Sequence, residues 1–272
     1  MKNLIKILIA FSIVIVTGMN ANAQVSVGIS IRVAPPALPV YSQPYCPGDG
    51  YMWAPGYWAY GDDGYYWVPG TWVLPPQTGF LWTPGYWGFS SGFYGWHQGY
   101  WGRHIGFYGG INYGFGYGGV GYGGGMWRGN TFRYNTAVNN INITVVHNTY
   151  INRTVINNNT TIVNNHNSFN GQGGIMARPS QQELLASREP HMNPTSVQMA
   201  RETSFRADRS QYASVNHGHP AMATMDEANK NQRSQASANQ DQMRNRRMNV
   251  QKQKSNHHEG NGGRNGKRKK NH

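Results

Sequence analysis

Carboxylates are nearly missing from the front half of this 272-residue chain: between Gln24 and Asn170 the only ones are Asp49, Asp62 and Asp63, and Glu does not occur there. An enzyme working by proton transfer needs positioned acids and bases, so this inventory speaks for a protein that is not an enzyme. Asp62 and Asp63 stand between glycines, where Asp favours turn hydrogen bonds over catalysis or calcium binding. Cysteine occurs once, at Cys46, which rules out an intramolecular disulfide. No spacing to His97 or His104 supports Cys46 as a nucleophile, and a packed thiol is the simpler reading. His217-x-His219 and His257-His258-Glu259 lack the four-ligand spacing of a structural zinc site, and no G-x-x-x-x-G-K-[ST] occurs among the glycines. No metal site and no cofactor is therefore expected. Long apolar runs are also scarce. The longest, ILIAFSIVIV from Ile7, falls well short of the roughly 20 residues a membrane crossing requires.

That short run fits a different role. Lys2 and Lys6 precede it and Ala21-Asn22-Ala23 follows, so residues 1–23 have the charged start, apolar centre and A-x-A site of a secretory signal. The expectation is an exported chain beginning at Gln24, in the periplasm, on the outer surface or secreted, and not membrane-spanning after cleavage. Residues 24–50 then hold an alternating stretch, QVSVGISIRV, with the period of a half-buried strand at the margin of a sheet, and a Pro-rich connector.

What the chain has in abundance is aromatic residues in a fixed order. Residues 51–103 contain YMWAPGYW, YYWVPGTW, FLWTPGYW and YGWHQGYW, and eight of the nine tryptophans. Pro-Gly suits the two central positions of a tight turn. A fold about Pro55-Gly56 sets Trp53 opposite Trp58 and Tyr51 opposite Tyr60, and alternation places all four on one face. The same construction gathers Tyr65, Trp67 and Trp72, then Phe80, Trp82, Trp87 and Phe89, then Tyr94, Trp96 and Trp101. These fourteen residues are the candidate interaction face. A lone hairpin is marginal in water, so the fold class expected is all-β: a small antiparallel meander of aromatic hairpins.

Four tandem Trp-x-x-Gly-x-Trp units with Tyr or Phe two residues before the first Trp resemble the bacterial WxxGxW (YxWGxW) repeat family. Gln98 stands in the fourth copy where the others have Pro. The resemblance implies an exported bacterial envelope protein of repeat architecture, and brings no catalytic residue or cofactor with it.

Residues 104–136 are a Gly/Tyr-rich segment, and over 102–125 Gly is too frequent for a regular helix or a firm strand, although the spaced Tyr and Phe are placed to fold back over the tryptophans or to associate with other chains or with sugars. Residues 137–170 combine Asn with β-branched residues and suggest short strands such as Ile141–Val145, with self-association through stacked strands as an alternative. Residues 171–229 are polar, and Ser180-x-x-Glu183 and Thr195-x-x-Gln198 have capping-box form for two short helices. Residues 230–272 hold twelve Lys and Arg against Asp241 and Glu259, so 12 minus 2, or +10, of the formal +13 lies in a tail expected to be disordered. The last third is thus expected to be mostly disordered, with short helices.

Two functional readings stand. One is a non-enzymatic exported bacterial envelope or surface protein, with a structural or interaction role built on the repeats. The other is a glycan-binding module that offers exposed Trp and Tyr faces to sugar rings while the basic tail holds anionic surfaces. The partners expected are envelope polysaccharide or another anionic surface and further copies of the chain. Specific nucleic-acid binding is not expected, because the tail has no aromatic residue to stack on bases.

Overall fold

The computed structural model describes residues 30–155 and 166–225. Residues 1–29, with the expected signal, residues 156–165 of the Asn-rich stretch, and residues 226–272, with the basic tail, lie outside the described residues.

The protein is mostly β, in small antiparallel sheets with few short helices. After β1 (Ser30–Ile31), the repeats form β2 (Met52–Ala54), β3 (Tyr57–Gly61), β4 (Gly64–Val68), β5 (Thr71–Val73), β6 (Leu81–Thr83), β7 (Tyr86–Ser90), β8 (Phe93–His97) and β9 (Tyr100–Gly102). Aromatic and β-branched residues dominate these strands, as suits a pleated surface buried on its faces.

The turns do not fall at Pro-Gly. Strand β3 pairs with β4 and β2 with β5, so Trp58 faces Trp67 and Trp53 faces Trp72. Likewise β7 pairs with β8 and β6 with β9, setting Trp87 opposite Trp96 and Trp82 opposite Trp101. Copies one and two are therefore the two arms of one long hairpin, and copies three and four of a second. The expected facing of Trp53 and Trp58 within one copy is corrected. The tight loops supply the reason. In the first hairpin Asp62-Asp63 is followed by Gly64 at φ 103°, and in the second Ser91 and Gly92 both have positive φ, 53° and 83°. The second loop has the signature of a primed turn that follows strand twist, which a Pro-Gly type II turn does not. Each loop closes a five-pair ladder. Pro-Gly instead marks a corner at which both arms bend and the ladder is interrupted.

Because of the corners, the two halves of each hairpin enter different cores. Outer-end residues Trp53, Trp72, Trp82 and Trp101 pack with Cys46, Met52, Tyr108, Tyr117 and Tyr134. Inner-end residues Trp58, Trp67 and Trp87 pack with Ile31, Tyr65, Tyr94 and Phe169. Strand β1 borders β8, in the marginal position read from its alternation.

The Gly/Tyr-rich stretch folds back over the outer core. It supplies β10 (Asn112–Gly114), β11 (Tyr117–Gly118), β12 (Gly125–Arg128) and β13 (Thr131–Asn135), and Tyr108, Ile111 and Tyr117 are fully buried. Among its described residues the Asn-rich stretch yields β14 (Thr149–Tyr150), parallel to β13, and β15 (Phe169–Asn170), parallel to β7. Alternation at Ile141–Val145 does not give the expected strand. Asn142 Oδ1 accepts from the amide and hydroxyl of Thr144, and the Val145 and Val146 amides donate to the Asn142 carbonyl. The short amide side chain thus captures the local backbone and makes a turn. Asn152 and the Thr154 amide repeat the device.

Both capping boxes are present, opening α1 (Gln181–Ala186) and α2 (Ser196–Ala207), and α3 (Ala213–Asn216) follows. The fading of aromatics after Phe169 suggests a chain that has left the core, yet Phe205 and Tyr212 pack on Ala59, Tyr66 and Val68 of the first hairpin. Two well-placed rings and a set of polar contacts suffice to dock this segment as far as Met225, whose amide donates to the Gly70 carbonyl.

Candidate functional site: the paired tryptophan repeats

The consensus spacing follows from how two copies meet. At each corner the glycine of one copy lies against the glycine of its partner. A Cβ on Gly56 would stand 2.9 Å from the Gly70 amide nitrogen, and one on Gly99 2.7 Å from that of Gly85. The first Trp of each copy covers the partner's glycine: the same imagined Cβ atoms would lie 2.3 Å from the Trp67 ring at Gly56, 2.6 Å from Trp53 at Gly70, 2.4 Å from Trp96 at Gly85 and 2.7 Å from Trp82 at Gly99. Only a residue without a side chain leaves that space. The second Trp of each copy then meets the partner's first. Ring centroids are 5.2 Å apart for Trp58 and Trp67, 5.5 Å for Trp53 and Trp72, 5.2 Å for Trp82 and Trp101, and 5.3 Å for Trp87 and Trp96. These are tilted or edge-to-face contacts, the geometry aromatic quadrupoles prefer. One copy cannot satisfy this pattern alone, so the structural unit is a pair.

The corners also interrupt the ladder, and aromatic polar tips take up carbonyls of the surrounding chain. Tyr113 donates to the Gly85 carbonyl, Tyr117 to Trp82, Tyr134 to Tyr51 and the Trp127 indole to Phe80. Within and around the repeats, Trp87 donates to the Trp58 carbonyl, Trp58 to Ala37, Trp72 to Pro44 and Trp67 to Ala223. The Trp101 indole reaches the Gln198 side chain in the first turn of α2. Each bond satisfies a buried polar group that would otherwise oppose burial. In the fourth copy Gln98, in place of Pro, accepts from the Trp96 indole at 3.0 Å.

Of the fourteen residues proposed as an interaction face, Trp53, Trp58, Tyr65, Trp67, Trp72, Phe80, Trp82, Trp87, Tyr94 and Trp101 are buried, and Tyr51, Tyr60, Phe89 and Trp96 are half-buried. They are divided between two cores and present no coplanar exposed row. The opposite strand face is covered as well, since Met52, Tyr66, Val68 and Thr83 are buried. Burial pushes the phenols of Tyr65, Tyr66, Tyr108, Tyr113 and Tyr117 well above their ordinary range, because the phenolate would lose its hydration.

The acidic groups have structural engagements. Asp62 and Asp63 pair with Arg206 and Arg209 at the hairpin loop. Glu202 accepts from the Tyr57 hydroxyl, Glu183 caps α1, and Asp208 holds the Ser210 amide and hydroxyl. Cys46 is buried, donates to the Gly48 carbonyl, and has its thiol pKa raised by burial. Among the described residues no group of three His, Cys, Asp or Glu side chains converges as metal ligands, and no helix is long and apolar enough to cross a membrane.

One feature escaped sequence reasoning. A cleft of about 690 Å³ opens beside the second hairpin, where Arg103, Trp127 and the end of α1 meet. Its only linear sign is Arg103, which occupies the place that Leu74 has in the first hairpin.

Residues 48–73 match the WXXGXW repeat in two copies, and these are the two arms of the first hairpin. No curated protein and no solved structure matches the chain.

Proposed function

We propose that this chain, which carries WXXGXW repeats, is a non-enzymatic exported protein of the bacterial envelope or surface, in which the repeats serve as a rigid scaffold and the basic tail engages anionic polymer. The observation that carries the scaffold reading is the burial of the paired indoles: their faces are used on one another and on the paired glycines. A fully buried Trp removes about 150–250 Å² from water, roughly 4–6 kcal/mol before entropy. Seven buried indoles and the half-buried Trp96, set in paired repeats, are well suited to stabilising a sheet system poor in long strands. The engagement of the acidic side chains in turns, caps and surface pairs supports a role without proton-transfer chemistry.

Export is supported by the charged start, short apolar run and A-x-A site of residues 1–23. The tail's charge of +10, from twelve Lys and Arg against two acids, suits acidic polysaccharide or lipid head groups, whose attraction is screened over about 8 Å at physiological ionic strength. Fractionating cells with an antibody to the tail tests location. Retention of the full chain and of a variant ending at residue 225, measured against rising salt, tests attachment. The protein is expected in the envelope fraction, with release by salt and poor retention of the shortened chain. A cytoplasmic location, or equal retention of both chains at low salt, would overturn the proposal.

A further inference from the structure

The cleft beside the second hairpin has the make-up of a ligand site. It lies where three separate segments meet: the outer end of the second hairpin, the Gly/Tyr-rich stretch, and α1 with the residues after it. Its volume of about 690 Å³ falls within the roughly 300–1,000 Å³ usual for small-ligand pockets, which favour such junctions.

Its chemistry is asymmetric. The Arg103 guanidinium lies over the buried Phe80 ring, 6.0 Å from its centroid and at the edge of cation–π reach, and none of the ion pairs among the described residues involves it. Its planar fork of N–H donors therefore remains free for a carboxylate. The one carboxylate lining the cleft, on Glu189, is engaged by His104 Nδ1 at 2.8 Å. Other groups that face the ligand space differ in kind: the Trp127 ring is fixed by its bond to the Phe80 carbonyl at 2.9 Å, Gln182 offers an amide, and Leu185 is an exposed apolar rim.

We propose that this cleft binds an acidic saccharide, with a uronate carboxylate on the Arg103 fork and the apolar face of a sugar ring against Trp127. A wide cleft that sets the Trp127 and Tyr122 rings beside a guanidinium and an amide offers a sugar ring both an apolar surface and partners for its hydroxyls. The inference goes beyond the scaffold reading and uses neither the repeat indoles nor the tail. Binding by purified protein is independent of where the chain resides in the cell.

The test is titration calorimetry of the full chain with trigalacturonate, set beside neutral maltotriose and a short acidic peptide of equal charge. Arg103→Gln and Leu185→Glu serve as variants, both at exposed positions and both retaining the tail. The expected results are saturable binding of trigalacturonate, little of maltotriose, and weakening by about tenfold or more in either variant, the scale of a lost charge-assisted bond. Indistinguishable binding by wild type and Arg103→Gln would overturn the proposal by placing the ligand on the tail. Absence of trigalacturonate binding would refute it, as would equal affinity for the acidic peptide.

Discussion

Gly56→Ala is the smallest change that tests the corner. Gly56 does not need glycine for its φ, which is not in the positive region, so the whole effect is one of space. The added methyl would lie 2.3 Å from the Trp67 ring and 2.9 Å from the Gly70 amide. The ring cannot retreat freely, because its indole donates to the Ala223 carbonyl at 3.1 Å and its other neighbours are core. Overpacking of this kind costs about 1–3 kcal/mol, a sizeable part of the roughly 5–15 kcal/mol that stabilises a domain. Gly95→Ala is the matched control: it also lies in a repeat strand, and its Cβ would meet nothing nearer than the Gly88 carbonyl at 4.0 Å, so a change within about 0.5 kcal/mol is expected. Urea unfolding followed by Trp fluorescence gives both values. Trp67→Phe removes the ring atoms that the methyl strikes, so Gly56→Ala should be milder in that background, with a coupling of at least about 1 kcal/mol. Equal costs for Gly56→Ala and Gly95→Ala, or additive behaviour with Trp67→Phe, would show that the Trp67 ring does not close on Gly56.

Other outcomes follow from the same packing. Trp67→Ala, at a fully buried site, should cost about 3–5 kcal/mol, read as a lowered urea midpoint; a change below about 1 kcal/mol would place the ring outside the core. The buried tyrosines have pKa values raised by burial, so the native state binds more protons than the unfolded state above pH ~10. Their contribution is intact below that pH and is lost as pH rises toward the folded values, so tyrosinate absorbance from these residues should appear together with unfolding, not before it. Cys46, buried with a raised thiol pKa, should resist a disulfide reagent until denaturant is added; fast native labelling would contradict its placement.

Much of the fold is legible in the chain and its connectivity less so. Aromatic alternation marks the repeat strands, and Ser180-x-x-Glu183 and Thr195-x-x-Gln198 mark two helix starts, because strands and caps are determined by neighbours in sequence. The pairing of Trp53 with Trp72 depends on a choice between two turn-competent sites, Pro55-Gly56 and Asp62-Asp63. That choice is made by the five-pair ladder each loop can close, a property of both arms together. The Asn142 turn hid behind Ile141, Ile143 and Val145 because periodicity does not register a side chain bonding its own backbone. Docking of Phe205 and Tyr212 was obscured by their polar surroundings, and the cleft at Arg103 joins residues distant in sequence.

Whether the repeats work as reciprocal pairs is read out by two-dimensional NOE spectroscopy with assigned indole protons. Centroid separations of 5.2–5.5 Å predict cross-peaks linking Trp53 with Trp72, Trp58 with Trp67, Trp82 with Trp101, and Trp87 with Trp96. Cross-peaks linking Trp53 with Trp58 and Trp67 with Trp72 in their place would show that each copy closes on itself and that the repeats are not reciprocal pairs.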